Sequence, residues 1–512
     1  MSSQFWCLLA LSVGLTACEP STPVTAGASR PFTIGVPDPL SSLEPAGVID
    51  ANTEVVIGLL FEGLTRIDSA GNPVPALAEQ LASADQRRWR VALRPSATFH
   101  DGTPVRAADV LRSWQERLAL TGPDDASAWL VELLGTTGPR APDAGVSIID
   151  SLTLQLTLTE PDAGLPAALA EADFWVRSRA STPARPIGSA PWRLVSGAPG
   201  DSLVRLARMK PDAVHIDTIE VAVFSGDGSL GPELGRDGHV DWTAAVGTRQ
   251  YARLALRADV QLRSGEPSEL RQLVMSRRRA VMRDPRVRAA IAHAVDRRAL
   301  LTARPGVPLE VAWGILPKAR MPVTPGTAHP YDPSRARALL REAGYDSART
   351  PIAIGVHRGA LDDSTSDVTW LVRNYLLAAG INAQLRPVNG NVTPHVLQDS
   401  TVDLGVYINY VDMPTDVALA RLSFGGALPP VGVGRADSLR VTAWDAAVQR
   451  LASEADPTRR RTQIAMWGDS LETLALSVRL WWQPPLFACS LRFAQCPAQL
   501  LGNRFEGVGR LP

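Results

Sequence analysis

Apolar residues recur along this chain with two periods. Residues 33–36 read as a short strand, and Pro37, Pro39 and Pro45 break regular structure in the loop that follows, as far as Asn52. Val55, Val56, Leu59, Leu60 and Leu64 then recur at helical spacing and predict a helix over 53–64. Residues 90–94 alternate around Val91 and Leu93, and 152–158 alternates Leu with Thr and Gln, so both predict strands. Between them Asp101-Gly102 marks a turn, and Val110, Leu111, Trp114 and Leu118 share one face of a helix over 107–118. Short strands are expected at 192–195, 203–206 and 219–224. Asp284-Pro285 supplies a cap and a first-turn proline to a helix whose apolar face runs through Val287, Ile291, Ala294, Val295 and Leu301. Asp332-Pro333 opens another, through Ala336, Leu339, Leu340 and Ala343, which stops at Gly344. Strands at 352–356, 381–385 and 402–407, with a helix at 366–379, alternate as an α/β unit does.

Length changes this picture: 512 residues exceed one core, and roughly two to four domains are expected. Hydrophobic residues at 45% and charged residues at 20% are ordinary for a globular chain. Lys+Arg and Asp+Glu are 52 each, and that balance argues against bulk attraction to nucleic acid or anionic membrane. Beyond residue 20 no apolar run reaches the ~18 residues of a membrane span.

The N-terminus reads as an address. Residues 5–17 are apolar and uncharged, the length of a signal-peptide core and too short to span a bilayer. They end in Leu15-Thr16-Ala17-Cys18, which resembles the lipobox of bacterial lipoproteins, where the cysteine becomes the lipidated first residue. An ordinary cleaved signal is the alternative, and residues 1–4 depart from pattern in lacking Lys or Arg. Residues 19–30 are polar, small and Pro-rich, as a flexible tether is. The expectation is a signal over 1–17, a tether over 18–30 and a body held by Cys18 in the periplasm or on the outer face of a membrane. Cys7 leaves with the signal. Cys489 and Cys496, in an oxidising compartment, then predict a disulfide, with two buried thiols as the alternative.

Catalytic and nucleotide-binding signatures are absent. There is no GxxxxGK[ST], HExxH, GxSxG or complete GxGxxG. His100, His215, His239, His293, His329, His357 and His395 show no ligand spacing, so no metal, cofactor or catalytic residue is expected.

Several stretches, in order, resemble solute-binding protein family 5 of ABC transporters. They are Leu60-Phe61-Glu62-Gly63-Leu64-Thr65, Phe99-His100-Asp101-Gly102-Thr103-Pro104-Val105, Pro186-Ile187-Gly188-Ser189-Ala190-Pro191-Trp192, Asp284-Pro285-Arg286-Val287-Arg288 through Asp296-Arg297, and Tyr331-Asp332-Pro333 through Ala343-Gly344-Tyr345. The resemblance covers about 31–490. It implies a periplasmic binding protein fold, with two α/β lobes, a hinge and an extra domain inserted in the N-terminal lobe. The first lobe would take 31–62, 184–268 and 472–512, the insert 63–183 and the second lobe 269–471. The Cys489–Cys496 bond would staple the returning segment. The resemblance further implies a monomer that serves a permease and ATPase subunits on separate chains.

It also implies a ligand between the lobes. The matching positions are Ile49, Asp50 and Ala51 after the first strand, and Tyr407, Asn409, Tyr410 and Asp412 in the stretch ending at Pro414. In the family's peptide binders the second stretch reads aromatic-x-x-Asp-x-x-x-Pro, and the Asp receives the peptide's α-ammonium. Here Tyr410 stands at that position. Either Asp412 substitutes through a shifted loop, or no free ammonium is bound. Trp481 and Trp482 put one ring on each face of a strand, and one of them is a candidate to stack on a ligand. A peptide is the default solute; a sugar-like, opine or chelate ligand, a sensory role and a periplasmic enzyme are the alternatives.

Overall fold

A computed structural model describes residues 30–45, 51–68, 72–121, 128–135, 145–211, 215–224, 234, 238–244, 246–321, 328–357, 364–389, 396, 401–410, 416, 441–454, 456–493, 496–498, 505 and 508. Among them the strands form four sheets. The first has the order β12 (Val260–Ser264), β19 (Leu486–Ser490), β11 (Trp242–Thr243), β1 (Phe32–Val36), β10 (Thr218–Val223), β9 (Leu203–Arg208) and β8 (Trp192–Ser196). The second has the order β14 (Glu310–Val311), β18 (Ser477–Gln483), β13 (Glu269–Met275), β17 (Leu404–Tyr410), β15 (Ile352–His357) and β16 (Ala383–Val388). A four-stranded antiparallel sheet has the order β4 (Ala78–Ala82), β5 (Arg88–Leu93), β7 (Thr153–Thr157) and β6 (Gly145–Asp150). A small ribbon pairs β2 (Thr65–Ile67) with β3 (Pro73–Pro75).

Each large sheet has its own core. Phe32, Ile34, Trp192, Ile219, Trp242 and Phe487 are buried around the first. Leu273, Ile291, Leu340, Ile354, Val372 and Leu404 are buried on one face of the second, under helices Pro285–Ala294, Pro333–Glu342 and Ser364–Ala378. Trp114, Phe174, Leu154 and Val91 centre a third core on the four-stranded sheet. A disulfide joins Cys489 to Cys496, with Cα atoms 5.8 Å apart, beside Phe493 in the first core.

Caps fall where the sequence puts them. Asp284 accepts from the Arg286 amide and Asp332 from the Arg335 amide, both at 2.8 Å. Three expectations are corrected. The first helix, Ala51–Leu60, stops before Leu64, because Glu62 bridges to Val176 and a Cβ on Gly63 would lie 2.3 Å from the Leu169 carbonyl oxygen. The helix starting at Pro285 ends at Ala294: Val295 is extended, and Asp296 caps a separate helix, Arg297–Thr302, by accepting from Ala299. The return to the first lobe does not begin at 472, because β18 belongs to the second sheet, paired with β13 over Glu269↔Gln483 to Val274↔Ser477. Both faces of that sheet are covered, which suits the near-continuous apolar run of β18.

The chain crosses between the two large sheets at one place, twice. β12 leads into β13 through 265–268, and β18 leads into β19 through Pro484-Pro485. The ribbon stays paired across the step: the Gly265 amide donates to Pro485 at 3.0 Å and the Ser268 amide to Gln483 at 3.1 Å. A Cβ on Gly265 would lie 2.8 Å from Pro485 Cγ and 3.0 Å from the Ala498 carbonyl oxygen. A second bridge joins the insert to the second lobe, where the Ala163 amide donates to Ala452 at 3.0 Å.

This packing makes Gly265 and His329 sensitive positions. Gly265→Ala lowers stability by about 1–3 kcal/mol in urea unfolding, since neither Pro485 nor the Ala498 carbonyl can retreat freely. His329 packs against His293, ring centroids 5.1 Å apart. Burial first, then His293 and Arg297, hold its pKa down to about 4 from 6.5, against the pull of Glu472. Between those values the unfolded chain binds more protons than the native one, so stability is full above pH 6.5 and falls as pH drops towards 4. His329→Gln flattens that limb of the stability–pH curve, by on the order of 2 kcal/mol.

Candidate functional site

Strand direction locates the site. In the first sheet β10 and β11 run parallel to β1. β19 is antiparallel to both β11 and β12, so β12 runs with β1 as well. The carboxyl ends Val36, Val223, Thr243 and Ser264 therefore all lie on the crossover side. In the second sheet β15 is parallel to β16 and β17, while β17 and β18 are both antiparallel to β13. Their carboxyl ends, His357, Val388, Tyr410 and Gln483, lie where β13 begins at Glu269, again on the crossover side. Open α/β sheets hold ligands outside the carboxyl ends of their strands, where no ladder partner consumes the loops. Here two such edges meet at one crossover.

The loop after β1 leaves the carboxyl end of that strand, and a buried carboxylate fixes it. Ser42 Oγ accepts from the Glu44 amide at 2.9 Å, which turns the loop. Glu44 then accepts from Ser181 Oγ at 2.6 Å and pairs with Arg177 at 3.3 Å. Ser181 Oγ in turn accepts from the Ile187 amide at 2.8 Å. The segment leaving the insert is thus tied to the loop leaving β1. Burial pushes the Glu44 carboxyl up, against the Ser181 hydrogen bond and the Arg177 charge.

In the second sheet the strand ends on the crossover side are tied as well. Glu269 pairs with Arg271 at 3.3 Å and accepts from Gln483 Nε2 at 3.2 Å, which ties both crossing strands together at their sheet end. Tyr407 stands opposite Gln272 in the β13–β17 ladder. Burial raises the Tyr407 pKa, so its hydroxyl keeps its proton and remains a donor. Gln272 is 2% exposed, and its Nε2 has no hydrogen-bond partner among the described residues.

Of the positions expected to line the site, Tyr407, Asn409 and Tyr410 form the last four residues of β17 with Ile408, opposite Gln272, Leu270 and Glu269 respectively. Ala51 is the first residue of its helix. Ile49, Asp50 and Asp412 lie outside the described residues, as does Cys18. Trp481 and Trp482 are corrected: both pack inside the second lobe, at 2% and 1% exposure. Arg304 lies over the Trp481 ring at 5.0 Å, and Trp482 Nε1 donates to Gly314 at 3.4 Å among Leu270, Ile315 and Ile464. Alternation does put them on opposite faces, but helices cover both. Glu44 and Gln272 carry no sequence signal beyond Ser42-x-Glu44, because their partners lie on distant segments.

The family of bacterial extracellular solute-binding proteins, family 5, matches residues 72–427. The chain is similar to the periplasmic murein peptide-binding protein MppA of Escherichia coli, 26% identical over 66% of this chain and 67% of that one. It is 24% identical to the glutathione-binding protein GsiB of Pectobacterium atrosepticum, over 82% of each. The solved structure of NikA from Brucella suis in complex with Fe(III)-EDTA superposes with a TM-score of 0.78, at 17% identity, over 94% of this chain and 100% of that one. Fold, double crossover and sequence match agree: the chain belongs to the family 5 bacterial extracellular solute-binding proteins.

Glu44→Ala leaves Arg177 without its buried acid and frees the loop after β1. It lowers stability by about 3 kcal/mol in urea unfolding, while Glu44→Gln, which keeps the Ser181 contact, loses less.

Proposed function

We propose that this chain is a receptor of an ABC importer, anchored through Cys18 and tethered over 19–30, that closes on a peptide-class solute and hands it to a permease whose ATPase subunits are separate chains. The carrying observation is the convergence of both sheets' carboxyl ends on one crossover in a chain of this family. Closure about 265–268 and 484–485 would bring the loop held by Glu44 towards the end of β17 and bury the solute between them. The proposed lobes are 31–62, 184–268 and 484–512 for the first and 269–483 for the second, with 63–183 inserted. The chain acts as a monomer without catalytic residues of its own. Relatives named for a murein peptide and for glutathione support a peptide.

Tyr410 favours a second reading of the ligand's chemistry. A tyrosine cannot supply the negative charge that a buried ammonium needs. A peptide without a free α-ammonium, or a chelate of the kind that NikA from Brucella suis holds as Fe(III)-EDTA, suits this position.

Native mass spectrometry of the Cys18→Ser chain, purified without refolding, decides between them. The expected result is a heterogeneous series of bound masses that fit peptides. A single discrete non-peptide mass overturns the peptide reading and gives the solute's class.

A further inference from the structure

The loop that leaves β7 reaches from the insert to the second lobe. It is anchored on the insert's own sheet. The Leu158 amide donates to Arg87 at 2.9 Å, Arg87 Nε to Thr159 at 3.3 Å and the Asp162 amide to Gln86 at 2.9 Å. Asp162 is 1% exposed, and its Oδ1 accepts from the Gly164 amide at 2.8 Å, which holds the turn that presents the Ala163 amide. The insert in turn is fast to the first lobe. The Val176 amide donates to Glu62 and the His100 amide to Gly188, both at 2.8 Å, and Ala172 and Trp175 are buried in the core of the first sheet.

The receiving group is the carboxyl end of the helix Val441–Ala452. The last four carbonyls of a helix lack partners inside it and must find them elsewhere. Here three are met locally. Gln449 accepts from the Ser453 amide at 3.3 Å, Arg450 from Ser453 Oγ at 2.8 Å and Leu451 from the Glu454 amide at 3.1 Å. The fourth, Ala452, accepts from Ala163 of the insert at 3.0 Å. Gln449 Nε2 returns a bond to the Pro161 carbonyl at 3.4 Å. Val448 and Leu451 pack with Ile315, Ile464 and Trp482, so this helix end belongs to the body of the second lobe.

We propose that the insert is a latch between the lobes. It completes the cap of a second-lobe helix in the arrangement seen here and releases it when the crossover ribbon bends. Both partners are rigid on their own lobes, so a hinge motion about 265–268 and 484–485 cannot carry one along with the other. Each hydrogen bond is exchanged for water on release, so the latch biases the lobes modestly, by about tenfold for the pair. A bias of that size raises the population of the arrangement that holds a solute without locking the molecule shut. The latch rests on the crossover acting as the hinge, and it does not depend on which solute is carried.

Hydrogen–deuterium exchange and small-angle X-ray scattering of the Cys18→Ser chain test it, beside Ala163→Trp, which wedges the loop off the helix end, and Gln449→Ala, which removes one bond. Unchanged exchange in β1 and β15 shows that a variant is folded; if the wedge disturbs those strands, Gln449→Ala decides alone. The expected result is exchange of the Gly265 and Ser268 amides about tenfold faster with the wedge and severalfold faster in Gln449→Ala, with a larger radius of gyration. Faster exchange confined to 158–165 and 441–452, with the ribbon amides and the radius unchanged, overturns the latch. Native mass spectra of the same samples read the bound solute separately, so failure of the latch and failure of the peptide reading are told apart.

Discussion

Two polypeptide segments cross between the lobes side by side, hydrogen-bonded to one another at Gly265–Pro485 and Ser268–Gln483. The rest of the molecule depends on that paired crossing. A single strand would leave the two sheets free to swivel about many axes. A ladder that continues from β12–β19 into β13–β18 restricts motion to bending of the ribbon. Pro484 and Pro485 donate no amide to the ladder, and Gly265 leaves room for the Pro485 ring to lie against the opposite chain. The crossing also fixes strand direction, so the carboxyl ends of both sheets open towards the same gap.

Buried charge pins elements in both lobes. Glu44 ties the loop after β1 to Ser181 and Arg177. In the second lobe Glu472 lies between Arg297, at 3.0 Å, and Arg479, with all three nearly sealed from solvent. Such groups contribute little net stability, since desolvation offsets much of the Coulomb gain. Their partners are the consequence: Arg297, Glu472 and Arg479 come from three elements that must dock in one register before any of the charges is matched.

Much of the scaffold is legible in the sequence because its determinants are local. Asp284-Pro285 and Asp332-Pro333 cap helices by bonds within three residues, and strands such as β5 and β7 announce themselves by alternation. Local signals failed where a distant contact overrode them. Leu64 continues the helical spacing of the first helix, yet the Leu169 backbone and Val176 draw residues 62–64 into another arrangement. Apolar spacing carried the helix at Pro285 past Val295, where Asp296 begins a new cap.

The sequence alone determined the class of fold and the capped helices, because short-range patterns and motif order encode them. Only the tertiary structure decided that Trp481 and Trp482 are sealed in the second lobe and that β18 belongs to its sheet. It alone brought Glu44 to Ser181, and the Ala163 amide to Ala452 at a helix end. The physical reason is common to all of these. Burial and charge pairing depend on which surfaces meet, and segments more than a hundred residues apart meet only once the ribbon and the sheets have formed.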